Sequence, residues 1–328
     1  MTTLVTGASG HLGANLVREL LKRGEKVRVF IRTKSKNLAI QGLDVEQAFG
    51  DLRDKQSIVD AVKGCDYVYH CAAFVSIRDG DREELYDVNV LGTRYLMQVC
   101  LAEGVKKVVH CSSFGAVGNN PDGASNEKWA VSPYEMTTDY EISKTFAELE
   151  VYKEIPHGLP AVIVNPSGIV GPWDFMPSLL GRTIIDFAQG NMRGSVSGGF
   201  DFVPVQDVVQ GHLLAMEQGV VGERYLLTGE QHTINETLEW LEEFTGVKKP
   251  WLVIPTVIMQ NVAIIKDWIE RKFFPDVYPR FNYHSIRLLN CGKFGSNAKA
   301  ISELGLKPTP VKEAYRDSVQ WFKKNGYI

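Results

Sequence analysis

A chain of 328 residues with 44% hydrophobic and 23% charged residues can bury a full-sized core, enough for one large α/β domain and a smaller lobe. Its formal net charge of −3 excludes a global attraction to nucleic acid or to an anionic membrane. The five cysteines, Cys65, Cys71, Cys100, Cys111 and Cys291, are odd in number and show no CxxC spacing, which excludes a disulfide framework and points to a reducing, cytoplasmic compartment.

The opening MTTLVTGASG runs straight into a strand and a glycine-rich turn, so no signal peptide is expected. Thr3–Val5 reads as a strand, and Leu12 to Leu21 as a helix by the 3–4 spacing of its apolar residues, ended by Gly24. Further strands are expected at Lys26–Ile31, Val45–Phe49, Asp66–His70, Val108–Ser112 and Ala161–Asn165. Helices are expected around Asn89 to Ala102 and from Glu135 to Glu154. Strands alternating with helices imply a Rossmann-type, doubly wound parallel sheet. After Pro166 the texture changes to Gly, Pro and aromatics, and only 207–229 (a helix, then a strand at Arg224–Leu227) returns to the sheet. The expected division is 1–166 with 204–230 as a nucleotide-binding domain. The remainder, 167–203 with 231–328, forms a smaller, mostly helical substrate lobe that carries the aromatic insert FFPDVYPRFNY. Trp251 to Ile269 is the most apolar stretch, but Pro255, Gln260, Asn261, Lys266 and Asp267 interrupt it. It falls short of a membrane span and reads as a buried or lid helix, with a membrane-surface helix as the other reading.

The turn Thr6-Gly7-Ala8-Ser9-Gly10-His11-Leu12-Gly13 lies between the first strand and the first helix. Glycines at 7, 10 and 13 let a pyrophosphate approach the backbone and face the free N–H groups of the helix N-terminus. The second strand ends in Phe30-Ile31-Arg32-Thr33-Lys34-Ser35-Lys36, with no acid where an NAD site places one. Arg32 and Lys36 suit a 2′-phosphate instead, so NADP(H) is the expected cofactor. Asp51, with Leu52 beside it, follows the third strand and is placed to accept from an adenine amino group; a plain turn aspartate is the alternative.

Tyr140 and Lys144 stand four residues apart on a predicted helix and share a face. A phenol titrates near pH 10, and a neighbouring ammonium favours the phenolate. A hydroxyl at Ser113, just past the fifth strand, can hold a substrate oxygen beside Tyr140. The histidines are scattered without HxxxH or HxH spacing, and no metal site is expected. His70, His110, Cys71 and Cys111 lie within strands and read as core. Asn165 is open to two readings, a diphosphate contact or a strand-end hydrogen bond.

TGASGHLG, GDLRD, DYVYHCAA, Asn89 in DVNVLGT, CSSFGAVG, YEISK and NPSGIVGP occur in the order seen in extended short-chain dehydrogenases/reductases. The chain resembles that family over nearly its whole length, above all the dihydroflavonol-4-reductase-like branch, which includes aldehyde and ketone reductases and hopanoid-associated sugar epimerases. The resemblance implies a catalytic group of Ser113, Tyr140 and Lys144 with Asn89 in support. It implies that Ala72 and Ala73 line the adenosine side and that Pro166 and Ser167 approach the nicotinamide. Ser113 is preferred to Ser112 because it precedes Gly118 by the family's spacing. Phe74, Gly118, Met136 and Phe175 are the candidates for contact with substrate. Gly118 stands where plant flavonoid reductases carry an Asn, which argues against a dihydroflavonol, and Ser-Phe-Gly at 113–115 lacks the acids of sugar-nucleotide dehydratases.

The expected activity is NADPH-dependent reduction of an apolar or aromatic aldehyde or ketone, with no nucleic acid or membrane as partner. Two rivals are a nucleotide-sugar epimerase with tightly held NAD and a non-catalytic NADP-binding sensor. Homodimers through the helices carrying Asn89 and Tyr140 are common in the family, monomers occur in this branch, and the sequence does not choose between them.

Overall fold

The computed structural model describes all residues except 33–36, 77, 79, 130–131, 137, 274–282, 284–285, 288 and 290–291. Lys36 and most of the aromatic insert therefore lie outside the described residues.

The first half runs β1 (Thr2–Thr6), α1 (His11–Lys22), β2 (Lys26–Ile31), β3 (Glu46–Phe49), α2 (Lys55–Val62), β4 (Tyr67–His70), α3 (Arg82–Leu85), α4 (Gly92–Ala102), β5 (Lys107–Cys111), α5 (Asp139–Glu154) and β6 (Ala161–Pro166). The second half runs β7 (Gly168–Val170), α6 (Leu179–Ala188), β8 (Ser195–Val196), β9 (Gly199–Pro204), α7 (Val205–Gln218), β10 (Arg224–Leu227), β11 (Glu230–Thr233), α8 (Ile234–Thr245), β12 (Val253–Ile254), α9 (Thr256–Phe273), α10 (Ala298–Leu304) and α11 (Val311–Lys324). Seven strands form one parallel sheet in the order β10-β6-β5-β4-β1-β2-β3. The order reverses beside β1, which places the crevice for a nucleotide at the carboxyl ends of β1 and β4.

Both faces of this sheet are covered, so its strands are apolar on both sides. Val5, Val29, Tyr69, Val109 and Val162 pack under α1 and α7. Leu4, Val68, Val108, Ala161 and Ile163 pack on the other face against Ile58, Leu96, Met97 and Val151 of α2, α4 and α5. A separate core of the second lobe gathers Phe187, Phe202, Leu238, Tyr315 and Phe322 beneath the small sheet β11-β9-β7.

Four expectations change. The helix α2 was not anticipated: KQSIVDAV has only Ile58, Ala61 and Val62 to bury, and its start is set by Asp54, whose carboxylate accepts from the Gln56 amide. The helix expected from Glu135 begins at Asp139, because Thr138 and Glu141 form a reciprocal capping box there. The helix expected near Asn89 starts earlier, running through α3 and a π-helical turn over Tyr86–Leu91 before α4. Ala300, Leu304 and Leu306, assigned from sequence to the second lobe, join the core under α7 on the main sheet.

The outer strand β10 is closed off by side chains. The Leu226 amide donates to Glu127 Oε1 at 2.9 Å, and Lys299 Nζ donates to the Arg224 carbonyl at 3.0 Å. At the other edge β3 is four residues long and mostly exposed.

Candidate active site

The glycine turn is built as the sequence reading expected. Gly7 has φ +73, and a Cβ there would meet the Ala72 nitrogen at 2.6 Å. A Cβ on Gly13 would meet the Gly7 carbonyl oxygen at 2.2 Å. These two glycines thus let α1 and the β4 end close on the turn. Gly10 differs: its Cβ would touch only the Gly7 oxygen, at 3.4 Å. It is the N-cap of α1, without a side-chain cap, and the helix's first turn carries no acid. The arrangement leaves room and free amides for an anion, so these residues fit a dinucleotide. Thr6 fixes the opposite wall, its hydroxyl accepting from the Ala72 amide at 3.1 Å.

Arg32 is exposed at the end of β2. Asp51 accepts from two of the three guanidinium nitrogens of Arg53, at 2.9 and 2.7 Å, and that pairing, assisted by Arg32, holds its carboxyl below the usual range. Leu52 is buried against Gly92. His11 turns away from the anion position, its Nε2 within hydrogen-bond distance of the Pro172 carbonyl (3.1 Å), where the Asn15 amide also donates at 3.0 Å. Next to this carbonyl Trp173 adopts φ 65, and the Arg18 guanidinium stands 4.3 Å over its ring. The start of the second lobe is thereby fastened to the helix that faces the nucleotide.

At the end of β5 the structure brings Ser113, Tyr140 and Lys144 together. Burial pushes the Tyr140 phenol well above its ordinary range, and the Ser113 hydroxyl, hydrogen-bonded to it, works in the opposite direction. Ser113 Oγ also accepts from the Gly115 amide at 3.0 Å, while Ser112 is buried. Lys144 is buried and donates to the Cys111 carbonyl at 2.8 Å; desolvation lowers its pKa. The expectation was that Lys144 and the positive nicotinamide ring would together pull the Tyr140 pKa down; Lys144 by itself is not among the groups that do so here. The group that opposes the rise is Ser113, because the Lys144 ammonium is directed at the end of β5. Cys111 is buried with its thiol pushed up to about 11, which leaves it inert.

Asn89 sits on the π-helical turn and holds the chain after β4. Its Oδ1 accepts from the Phe74 amide at 2.7 Å, and its Nδ2 donates to the Phe74 carbonyl at 2.9 Å and to Ser143 Oγ at 3.0 Å. It thus joins the 72–74 segment to α5 between Tyr140 and Lys144.

A buried network behind these residues was not visible in the sequence. Asn165 Nδ2 donates to the Ser113 carbonyl at 2.9 Å and to Glu148 Oε1 at 2.6 Å. Glu148, one turn beyond Lys144, pairs with Arg224 at 3.4 Å, and Arg224 donates to the Glu127 carbonyl. Of the two readings of Asn165, its surroundings favour the strand-end hydrogen bond: the residue is fully buried and its Nδ2 is engaged by Ser113 and Glu148, while its Oδ1 has no hydrogen-bond partner among the described residues. Lys293, from far along the chain, donates to the carbonyls of Phe114 and Val117 and covers the Phe114 ring at 4.6 Å. Glu148 and Lys293 had no local signal, since each acts across more than 15 residues.

Among the other expected residues, Ala72, Ala73 and Phe74 line the segment facing the glycine turn, partly exposed. Pro166 ends β6, and the Ser167 amide donates to Leu227. Met136 is partly buried; Gly118 is buried with its amide on the Trp129 carbonyl. Phe175 departs from expectation: its ring packs edge-on to Trp321 at 5.0 Å in the aromatic core of the second lobe. His70 lies between the hydroxyls of Thr6 and Thr93, at 2.8 and 3.0 Å, and stacks on His110 at 5.1 Å. Among the described residues no group of three or more His, Cys, Asp or Glu side chains is placed to hold a metal.

A Rossmann-type sheet, a glycine turn open at a helix N-terminus and a Ser-Tyr-Lys cluster at the adjoining strand end define an oxidoreductase of the extended short-chain dehydrogenase/reductase type, which works with a nicotinamide nucleotide. The chain belongs to the NAD dependent epimerase/dehydratase family, whose model matches residues 3–228. It is 62% identical over 328 residues to sterol demethylase protein B of Methylococcus capsulatus, covering 100% of both chains. It is 34% identical to the decarboxylating sterol-4-alpha-carboxylate 3-dehydrogenase of Mus musculus, over 97% of this chain and 90% of the mouse protein. The crystal structure of gox2253 superposes with a TM-score of 0.87 at 37% identity, over 100% of this chain and 99% of that one.

Proposed function

We propose that this protein is an NADP(H)-linked dehydrogenase that oxidises the 3-hydroxyl of a sterol 4-carboxylate, after which the 4-carboxylate leaves as carbon dioxide. The observation that carries this reading is the full-length 62% identity to sterol demethylase protein B. The mouse relative's name supplies the reaction type, a decarboxylating 3-dehydrogenation. This is the half-reaction expected from sequence run the other way, with the carbonyl as product.

When bound, the nicotinamide would supply the hydride acceptor. Tyr140 takes the hydroxyl proton as general base, and Ser113 holds the same oxygen through its hydroxyl. Because burial favours the neutral phenol, Tyr140 needs positive charge nearby before it can act as phenolate. Lys144, one turn along the same helix, and the positively charged nicotinamide ring would supply it together. The 3-oxo-4-carboxylate so formed is a β-keto acid. Its C4–carboxylate bond breaks with the electron pair passing into an enolate, and one proton returned to C4 completes the ketone.

Arg32 at the end of β2, in the sequence segment 30–36 that holds no acid, supports NADP(H) over NAD(H). The buried Asn165, engaged with Ser113 and Glu148, speaks against the epimerase reading, in which it would grip a diphosphate. The presence of both Tyr140 and Lys144 speaks against a sensor.

The test is NADP⁺ reduction at 340 nm with a 3-hydroxysterol 4-carboxylate, NAD⁺ in parallel, and mass analysis of the product. The expected product is a 3-ketosterol one carbon shorter. Tyr140→Phe should lower kcat by about 10²–10⁴ with NADP⁺ affinity kept. Turnover of simple ketones with NADPH, and none of the sterol acid, would overturn the substrate assignment.

A further inference from the structure

The readings of α9 from sequence were a buried or lid helix and, as the alternative, a membrane-surface helix; only one of its sides is covered. Met259 and Ala263 are buried. Val257, Ile258, Val262, Ile264, Ile265 and Trp268 are exposed, with Val257 at 62% and Ile265 at 63%. Positions 257, 261, 264, 265 and 268 share one helix face by their spacing of three and four. A surface helix normally puts polar residues there, whereas this one puts aliphatic side chains on the water side. Asn261, the polar residue of that face, turns its amide back to the Val257 carbonyl at 3.1 Å. Just before the helix, Trp251 is 89% exposed. Contiguous exposed apolar surface of this kind marks an interaction site.

We infer that α9 lies along the surface of a lipid bilayer, its outward side chains sunk into the headgroup region of an anionic membrane. Charge favours this occupant. Between 248 and 272 the sequence has five basic residues against the two acids Asp267 and Glu270. Lys248, Lys249 and Lys266 are paired with Glu242, Glu239 and Asp267, so the basic end of the face is the Arg271-Lys272 pair that follows Trp268. Basic residues flanking an apolar face attract anionic lipid, and Trp is the side chain of the membrane–water boundary. Lys272 stands 5.1 Å over the Trp268 ring at one end of the face. Among the described residues no helix is long and apolar enough to cross a membrane, so the contact is one of lying on the surface. The covered side of α9 also has a role. Met259 joins Ile184, Phe202, Leu238 and Tyr315 around an apolar cavity of about 470 Å³. A lipid-soluble ligand then has a short path from the bilayer, past α9, into the second lobe; this last step alone rests on the sterol reading. The inference replaces the expectation of no membrane partner.

The full-length protein is floated on a density gradient with phosphatidylcholine–phosphatidylglycerol vesicles and with pure phosphatidylcholine vesicles, neither containing sterol. The wild type should float with the anionic vesicles and less with the neutral ones. The double variant Ile258→Glu, Ile265→Glu should lose roughly tenfold or more in partitioning. Its melting temperature and NADPH affinity should match the wild type, since both side chains face outward. A wild type that stays at the bottom, or a variant that floats equally well, overturns the inference. So does a sedimenting dimer that the double variant dissociates without any flotation, which would assign the face to a second copy. Flotation without turnover of the sterol acid would refute the proposed substrate and leave the membrane contact standing.

Discussion

Replacing Gly13 and Gly10 by alanine separates what the glycine turn does for the fold from what it does for the cofactor. On Gly13 a methyl would sit 2.2 Å from the Gly7 oxygen, 2.7 Å from its carbon and 2.8 Å from the Ala8 Cα. All three are backbone atoms, so relief requires α1 to move off the turn. Overpacking of this kind costs about 3 kcal/mol, and at the size of this chain that lowers the melting temperature by about 5 °C or more. On Gly10 the methyl meets only one oxygen, at 3.4 Å, and the residue's φ of −83 and ψ of 170 suit alanine. The fold should lose about 1 kcal/mol or less, or about 2 °C. The same methyl stands in front of the α1 N-terminus, where an anion must come within hydrogen-bond distance of the amides. NADPH affinity in Gly10→Ala should therefore fall about tenfold, equivalent to about 1.4 kcal/mol. Thermal unfolding without nucleotide and a fluorescence titration with NADPH measure the two quantities. If Gly10→Ala melts as early as Gly13→Ala, or binds NADPH like the wild type, the division of labour argued from these distances is wrong.

Arg32→Ala should weaken NADPH binding about tenfold and leave NADH binding nearly unchanged, which paired titrations read directly; equal losses for both would remove Arg32 from the 2′-phosphate. Buried His212 is held down at about 4 in the folded state against an ordinary 6.5, through desolvation. The unfolded chain takes up its proton first as pH falls, so stability should drop by about 2 kcal/mol per such histidine between pH 7 and pH 5. His70, held at about 3 by the same cause, should add a like amount. Urea melts at the two pH values, with His212→Leu losing less on acidification than the wild type, check this; an identical loss would refute it. Arg224→Met should cost about 3 kcal/mol, because it leaves the Glu148 carboxylate, 5% exposed, with Asn165 but without its cationic partner. Unchanged stability in a urea melt would mean that Glu148 is neutral in the wild type.

The main sheet was legible because buried parallel strands are written as short apolar runs such as VVHC and AVIV, each followed by a recognisable turn. The residues around Tyr140 were legible for the same reason: they stand at fixed distances from those strand ends. What the sequence withheld are relations between distant segments. KQSIVDAV has too few apolar residues to announce a helix, and only its aspartate cap explains where it starts. No local pattern tells that Lys144 reaches for a carbonyl of β5, or that Lys293 closes over Phe114. Hydrophobicity flagged the α9 stretch but could not say which of its sides would be covered, because that depends on the cavity lined by α6 and α8, to which Met259 also contributes. Phe175 was misplaced for a related reason: an aromatic in a loop near the site is as easily claimed by Trp321, which arrives from the last helix.

The treatment of β10 bears on how copies of this chain can meet. A strand at the margin of a sheet offers a ladder of donors and acceptors to any other strand, and through it whole sheets can fuse. Here the Leu226 amide is already occupied by a carboxylate and the Arg224 carbonyl by an ammonium. The far margin is four residues long, with Glu46 and Gln47 facing water. Strand addition is thus blocked at one margin and poorly supported at the other. Pairing of copies through the margins of the main sheet is thereby disfavoured, and concentrated solutions should resist the edge-to-edge aggregation of that sheet to which parallel α/β proteins are exposed while they fold.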